Sequence, residues 1–211
     1  MKNYKLGFVS VLILLYSAVS YTQIQGSFDS KYHRYSQNEA FEGEKTNTWQ
    51  GAGWKGERIN TQLVLWSDVN VQSLTVSLGL QGNLKNALGE TIPATNISFN
   101  SGVYIVGDQK SGSCGVYPEH DQTAMISDGL DRDVVSTITP NNPVKLWISI
   151  DIPSNVSAGL YTGSVAVLSE NGGLNFPIQI QVLDKVLPPP SEWSFHLDLW
   201  QYPYQLLKLY N

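Results

Sequence analysis

The sequence predicts an all-β protein built as an immunoglobulin-like β-sandwich. Three observations carry this. Apolar and polar residues alternate with period two in several short runs, Gly, Pro and Asn clusters separate those runs, and no stretch within the sandwich region repeats its apolar residues at helical spacing. A chain of 211 residues with 42% hydrophobic and 15% charged content can bury a core of ordinary sandwich size.

Met1 to Ser20 places Lys2 and Lys5 ahead of the apolar run Leu6 to Leu15, followed by the small residues Ala18-Val19-Ser20. This is the layout of a secretory signal cleaved near Ser20, and it implies a periplasmic or secreted bacterial protein. The apolar run is shorter than the ~20 residues of a membrane span, so no membrane anchor is expected. Losing Lys2 and Lys5 lowers the Lys and Arg count from 13 to 11 against 18 Asp and Glu, a formal charge of −7. An acidic chain without a Lys/Arg cluster argues against nucleic acid or an anionic membrane as partner and suits a neutral or cationic ligand. Cys114 is the single cysteine and can form no internal disulfide, so the core alone must hold the fold.

Residues 21–48 are polar and aperiodic and read as a loose N-terminal segment with room for one edge strand. Tyr32, His33 and Tyr35 within it could stack on sugar, but are expected to pack on the neighbouring domain. Gly51, Gly53 and Gly56 spell the dinucleotide pattern G-x-G-x-x-G, which requires a preceding strand and a following helix. Instead Arg58 to Trp66 alternates as a strand, so no nucleotide is expected. Val71 to Leu80 alternates with Leu74, Val76, Leu78 and Leu80 inward, and Ile97 to Val106 is a further extended run. Asn96-Ile97-Ser98 and Asn155-Val156-Ser157 fit the glycosylation sequon, which carries little meaning in a bacterial host.

Residues 107–133 hold Gly107, Gly112, Gly115, Pro118 and Gly129, and read as one long irregular region. Three chemistries are conceivable there. Cys114 would serve as a nucleophile only with a histidine base beside it. Glu119, His120 and Asp121 lack the spacing of metal ligands. Asp128, Asp131 and Asp133 lack the glycine and final glutamate of a calcium loop and read better as turn caps. No metal and no cofactor is implied.

Leu146 to Ile152 alternates with Leu146, Ile148, Ile150 and Ile152 on one face and Trp147, Ser149 and Asp151 on the other. Ala158 to Gly163 reads as a turn into a strand over Ser164 to Leu168. Asn171-Gly172-Gly173 is a hairpin signal ahead of the last strand, Leu174 to Leu183, in which Ile178, Ile180 and Val182 face inward and Pro177 marks an edge or bulge. The sandwich is therefore expected over residues 49–187. Pro188, Pro189 and Pro190 end it as a stiff spacer, because they donate no backbone hydrogen bond. Beyond them Trp193 to Trp200 alternates again, with Phe195, Leu197 and Leu199 apolar and His196, Asp198 and Trp200 on a face able to bond and stack on sugar.

The motifs Trp54-x-Gly56-Glu57-Arg58, Cys114-Gly115, Asp128-x-Leu130-Asp131, Gly159-Leu160-Tyr161-Thr162-Gly163 and Leu187-Pro-Pro-Pro with Trp193 to Gln201 occur in an order that resembles glycoside hydrolase family 123, the bacterial β-N-acetylgalactosaminidases. The resemblance spans roughly residues 50–204. It implies an N-terminal sandwich followed by a (β/α)8 barrel of which residues 188–211 are the first stub. It further implies that His196, Asp198, Trp200 and Gln201 lie on the first barrel strand, where they would either meet substrate or close the barrel bottom and pack on the sandwich, and that Trp54, Gly56, Glu57, Arg58, Gly159 and Tyr161 are structural. The family hydrolyses terminal β-linked N-acetylgalactosamine with the help of the substrate's own 2-acetamido group, using an adjacent Asp-Glu pair. No Asp-Glu dipeptide occurs in this chain, so no catalytic residue is assigned and the chain is expected to be inactive alone. Its expected partners are a glycan or its own catalytic domain. A free-standing carbohydrate-binding or cell-surface module is the alternative.

Overall fold

Period-two strands bury one face only, so each must find a second layer to cover it. The computed structural model describes residues 24–79, 82–108, 123–170 and 172–194, and solves that requirement with two stacked sheets. The first sheet runs in the order β1 (Ile24–Asp29), β3 (Arg58–Ser67), β9 (Val144–Asp151), β7 (Ile97–Asp108) and β8 (Thr123–Asp131), every neighbour antiparallel. The second runs β2 (Trp49–Lys55), β11 (Gly172–Val186), β10 (Gly159–Ser169), β5 (Leu84–Lys85) and β6 (Thr91–Ile92), with β4 (Thr75–Leu78) also paired to β10. Among the described residues helical turns are confined to the short 3-10 segments Ala94–Asn96 and Pro190–Glu192. Leu63, Leu65, Leu146, Ile148 and Ile150 of the first sheet meet Tyr161, Val165, Val167, Ile178, Ile180 and Val182 of the second in one buried cluster. Each such aliphatic side chain contributes ~1.5–3 kcal/mol by leaving water.

Several elements differ from the sequence reading. Residues 24–46 are tied into the sandwich: β1 pairs with β3 along its whole length and buries Ile24 and Phe28. The region expected to be irregular over 107–133 contains β8, which pairs with β7. Its Asp128-Gly129 signal marks a bulge and not a turn. Val103 faces Gly129 and Tyr104 faces Ser127, which leaves Asp128 as the extra residue.

β10 begins at Gly159, so the predicted turn over 158–163 is largely strand. Gly163 is there because β5 passes close by: a Cβ at this position would sit 2.5 Å from Leu84 Cδ2. Val71 to Leu80 is broken at Ser73, whose φ of 55° is left-handed, and only Thr75–Leu78 forms strand while Val71 bridges to Ile138. Pro177 lies opposite Ser164 of β10, and β2 joins β11 only from Ile178 onward. The ring thus occupies the stretch where β11 has one neighbour and needs no second donor.

Candidate functional site

The face of the first sheet turned away from the core carries a cluster of polar and aromatic side chains. Leu63 and Leu146 point inward, so Gln62, Val64, Lys145 and Trp147 on the same two strands point outward. A face carrying Val64 cannot stay wet without cost, and the segment 30–46 covers it. From the end of β1 the chain crosses the sheet to its far edge. There Ser127 N–H donates to Tyr35 O at 2.8 Å and Gln37 N–H donates to Met125 O at 2.7 Å. It then returns to β1, where Phe28 N–H donates to Thr46 O at 2.8 Å and Phe41 stacks on Trp66 with centroids 5.0 Å apart. This strap also satisfies the outer edge of β8, which would otherwise be open to pairing.

Polar contacts fasten the strap. Gln62 Nε2 donates to Ser30 O and His33 O, both at 3.2 Å. The Tyr35 hydroxyl donates to Asp29 Oδ2, and His33 lies between Asp29 at 2.9 Å and Glu39 at 3.1 Å while stacking on Tyr35. Burial, then the bond to Asp29, pushes the Tyr35 hydroxyl well above the usual tyrosine range.

Under the strap Lys145 is 2% exposed. Its Nζ donates to Pro143 O at 3.2 Å and lies 4.9 Å and 4.3 Å from the ring centroids of Tyr35 and Tyr104. Among the described residues no carboxylate is within ion-pair distance of it. Burial lowers its pKa to about 8, an effect only partly offset by the charge of Glu39. Next to it opens a pocket of about 350 Å³ walled by Tyr32, Arg34 and Lys31 of the strap and by Gln62, Trp147 and Asp128 of the sheet. Arg34 and Asp128 meet loosely at 3.5 Å across its rim.

Of the residues singled out from sequence, Trp54, Gly56, Glu57, Arg58, Gly159 and Tyr161 occupy two corners of the sandwich instead. At the first, the chain passes from β2 in one sheet to β3 in the other. Gly56 turns there with φ of 83°, Gly56 N–H donates to Ile152 O, and Glu57 Oε2 accepts from Trp54 N–H at 2.8 Å. Arg58 then forks onto both oxygens of Asp151 at 2.6 Å and 2.8 Å, and that hydrogen bonding holds the Asp151 carboxyl below its ordinary value. Trp54 is half exposed beside Leu183 of β11.

At the second corner Gly159 starts β10 and buries Tyr161, whose hydroxyl lies 3.1 Å from Glu90 Oε2 and 3.0 Å from Ser157 O. His196, Asp198, Trp200 and Gln201 lie outside the described residues, as do Cys114, Glu119, His120 and Asp121. Asp131 Oδ1 accepts from Asp133 N–H at 3.3 Å, a turn contact, and among the described residues no three His, Cys, Asp or Glu side chains are grouped to hold a metal ion.

Sequence reasoning missed Arg34, Gln62 and Lys145 as a group. The available signal was Lys145 itself, a charge inside a run that otherwise reads as a buried strand.

The corner geometry places Trp54-x-Gly56-Glu57-Arg58 at the passage between sheets. A family model described as the glycoside hydrolase 123 N-terminal domain matches residues 25–169. The chain belongs to the glycoside hydrolase 123 N-terminal domain family. Among solved structures it is similar to a family 123 glycoside hydrolase from Clostridium perfringens studied for glycolipid glycan hydrolysis, with 25% identity and a TM-score of 0.73. That match covers 90% of this chain and 32% of the Clostridium chain, so this chain spans about a third of that enzyme's length. A more distant likeness, to the CooA pilin subunit of enterotoxigenic Escherichia coli, has 15% identity and a TM-score of 0.34 over 78% of this chain and 99% of the pilin. No curated protein matches the chain in sequence. The glycoside hydrolase 123 match begins at residue 25 and so includes β1 and the strap, the segment that sequence periodicity left outside the sandwich.

Proposed function

We propose that this chain is the non-catalytic N-terminal sandwich of a secreted family 123 glycoside hydrolase, whose complete form removes terminal β-linked N-acetylgalactosamine from glycans by substrate-assisted hydrolysis. One observation carries the reading: the family match falls on the sandwich, and the Clostridium similarity takes in 90% of this chain but only 32% of that enzyme. The chemistry agrees. The reaction needs one carboxylate to orient the acetamido group and an adjacent acid to protonate the leaving oxygen, and the sequence holds no Asp-Glu dipeptide.

In this reading the sandwich is of the immunoglobulin-like kind, and residues 188–211 lead into a barrel whose first strand carries His196, Asp198, Trp200 and Gln201 toward the sugar. The signal at residues 1–20 delivers the enzyme to the periplasm or beyond. The sandwich's first partner is its own catalytic domain. The half-exposed Trp54, Leu183 and Val186 lie near the point where the chain leaves β11, and suit contact with that domain.

Incubating the purified chain with p-nitrophenyl N-acetyl-β-galactosaminide tests the assignment. No release of nitrophenol above the uncatalysed rate is expected. Turnover that survives further purification would overturn the non-catalytic reading and require an active centre within these residues.

The second reading, a free-standing carbohydrate-binding module, draws on the aromatic and polar lining of the pocket under the strap. It predicts saturable binding of glycans by the same purified chain.

A further inference from the structure

We propose that the pocket between the strap and β7, β8 and β9 binds an acidic monosaccharide, a hexuronate, through its carboxylate. The inference goes beyond a scaffold role and does not depend on the parent enzyme's reaction.

Charge is the first argument. The chain as a whole is acidic, with a formal charge of −5, yet the pocket gathers Lys31, Arg34 and Lys145 against the single carboxylate Asp128. Lys145 lines the buried side of the pocket with its stem, while its Nζ is turned to Pro143 O and the rings of Tyr35 and Tyr104, with no carboxylate at ion-pair distance among the described residues. A buried cation without a counterion is costly, and an anion held in the adjoining pocket lowers that cost through the low-dielectric protein between them. Arg34 contributes a planar fork that matches a carboxylate, and its 3.5 Å contact with Asp128 is long enough to yield to a better partner.

Shape and surface supply the second argument. Tyr32 is 82% exposed at one side of the pocket and Trp147 is half-buried at the other. Flat aromatic faces pack against the apolar C–H face of a pyranose, while Asp128 and Ser127 can accept or exchange hydrogen bonds with its hydroxyls. The volume of about 350 Å³ falls within the range of roughly 300–1,000 Å³ typical of small-ligand sites. The acidic sequence taken as a whole points to neutral or cationic ligands; the local arrangement reverses that sign.

Calorimetric titration of the full chain with methyl β-D-glucuronide and methyl β-D-glucoside separates the carboxylate from the ring that bears it. The glucuronide should bind saturably and about tenfold or more tighter than the glucoside, the gain of one or two charge-assisted hydrogen bonds. Arg34→Gln, at an exposed position, should reduce that preference several-fold, and raising the salt should weaken the glucuronide alone. Lys145→Met should weaken the preference in protein whose circular dichroism is unchanged; if that variant fails to fold, the Arg34→Gln result decides. Equal affinities would mean stacking without acid recognition and would overturn the proposal. So would saturable binding by neither sugar, or a preference that Arg34→Gln leaves intact.

Discussion

Lys145 opposes folding for as long as it carries its charge. In the unfolded chain a lysine titrates near 10.5, whereas burial lowers this one to about 8 in the folded protein. Between those values the unfolded state binds more protons than the native state, so stability rises with pH. The penalty is fully present below pH 8 and is relieved as pH climbs toward 10.5. Its size is on the order of 1–3 kcal/mol, given the pKa difference and the relaxation open to a lysine flanked by two tyrosines. Urea unfolding at a series of pH values between 7 and 10 should therefore show a rising midpoint for the wild-type chain. Lys145→Met should flatten that rise and increase stability at pH 7. A wild-type midpoint that is level across the window would mean that Nζ reaches water more freely than its 2% exposure indicates.

At the scale of elements, glycine separates what sequence makes legible from what it does not. Gly56 and Gly82 both stand between strands with left-handed φ. In space they differ. Gly56 has φ of 83° and faces Leu187 O, 3.1 Å from where a Cβ would stand, because the end of β11 is tied back to Lys55 by the Leu187 N–H bond. Gly82 has φ of 64° and nothing within 4 Å. Gly82→Ala should cost only the left-handed conformation, ~1–2 kcal/mol, whereas Gly56→Ala adds a tight contact with hydrogen-bonded backbone and should cost about 2–4 kcal/mol in chemical denaturation. Equal losses would show that the corner relaxes.

The same distinction explains the reading of the remaining elements. β3, β9 and β11 were legible because each buries a period-two apolar face. β8 was not, since its Asp128-Gly129 signal is shared by turns and bulges. The start of β10 was hidden by Gly163, which serves Leu84 and not a turn. The strap lacks periodicity because it is held by single hydrogen bonds that Gln62 and Tyr35 donate and that Glu39 accepts from Ser36 N–H, a pattern no local rule encodes. The pocket follows from the strap and was invisible for the same reason.

The whole molecule is woven so that neither sheet can be completed alone. The chain places β1 in the first sheet, β2 in the second, β3 in the first, β4 to β6 in the second, β7 to β9 in the first and β10 and β11 in the second. The parallel pairing of β2 with β11 joins Trp49 to Ile178 and Trp54 to Leu183, so the second sheet closes only when nearly the whole domain is in place. The first sheet needs β9 before β3 and β7 have a common neighbour. Such long-range pairing demands loop closure before any contact rewards it, so refolding belongs in the millisecond-to-second range. It also binds the strap to the core, because the strap spans from β1 to β8 at opposite edges of one sheet. Unfolding in urea should accordingly be a single transition, with the fluorescence of a chain in which Trp66 and Trp147 are the only tryptophans kept of the six, one against Phe41 and one at the pocket, coinciding with far-ultraviolet circular dichroism, which senses the sheets. Fluorescence changing at lower urea than circular dichroism would mean that the strap opens as a unit of its own, and the pocket would then be a feature gated by local unfolding.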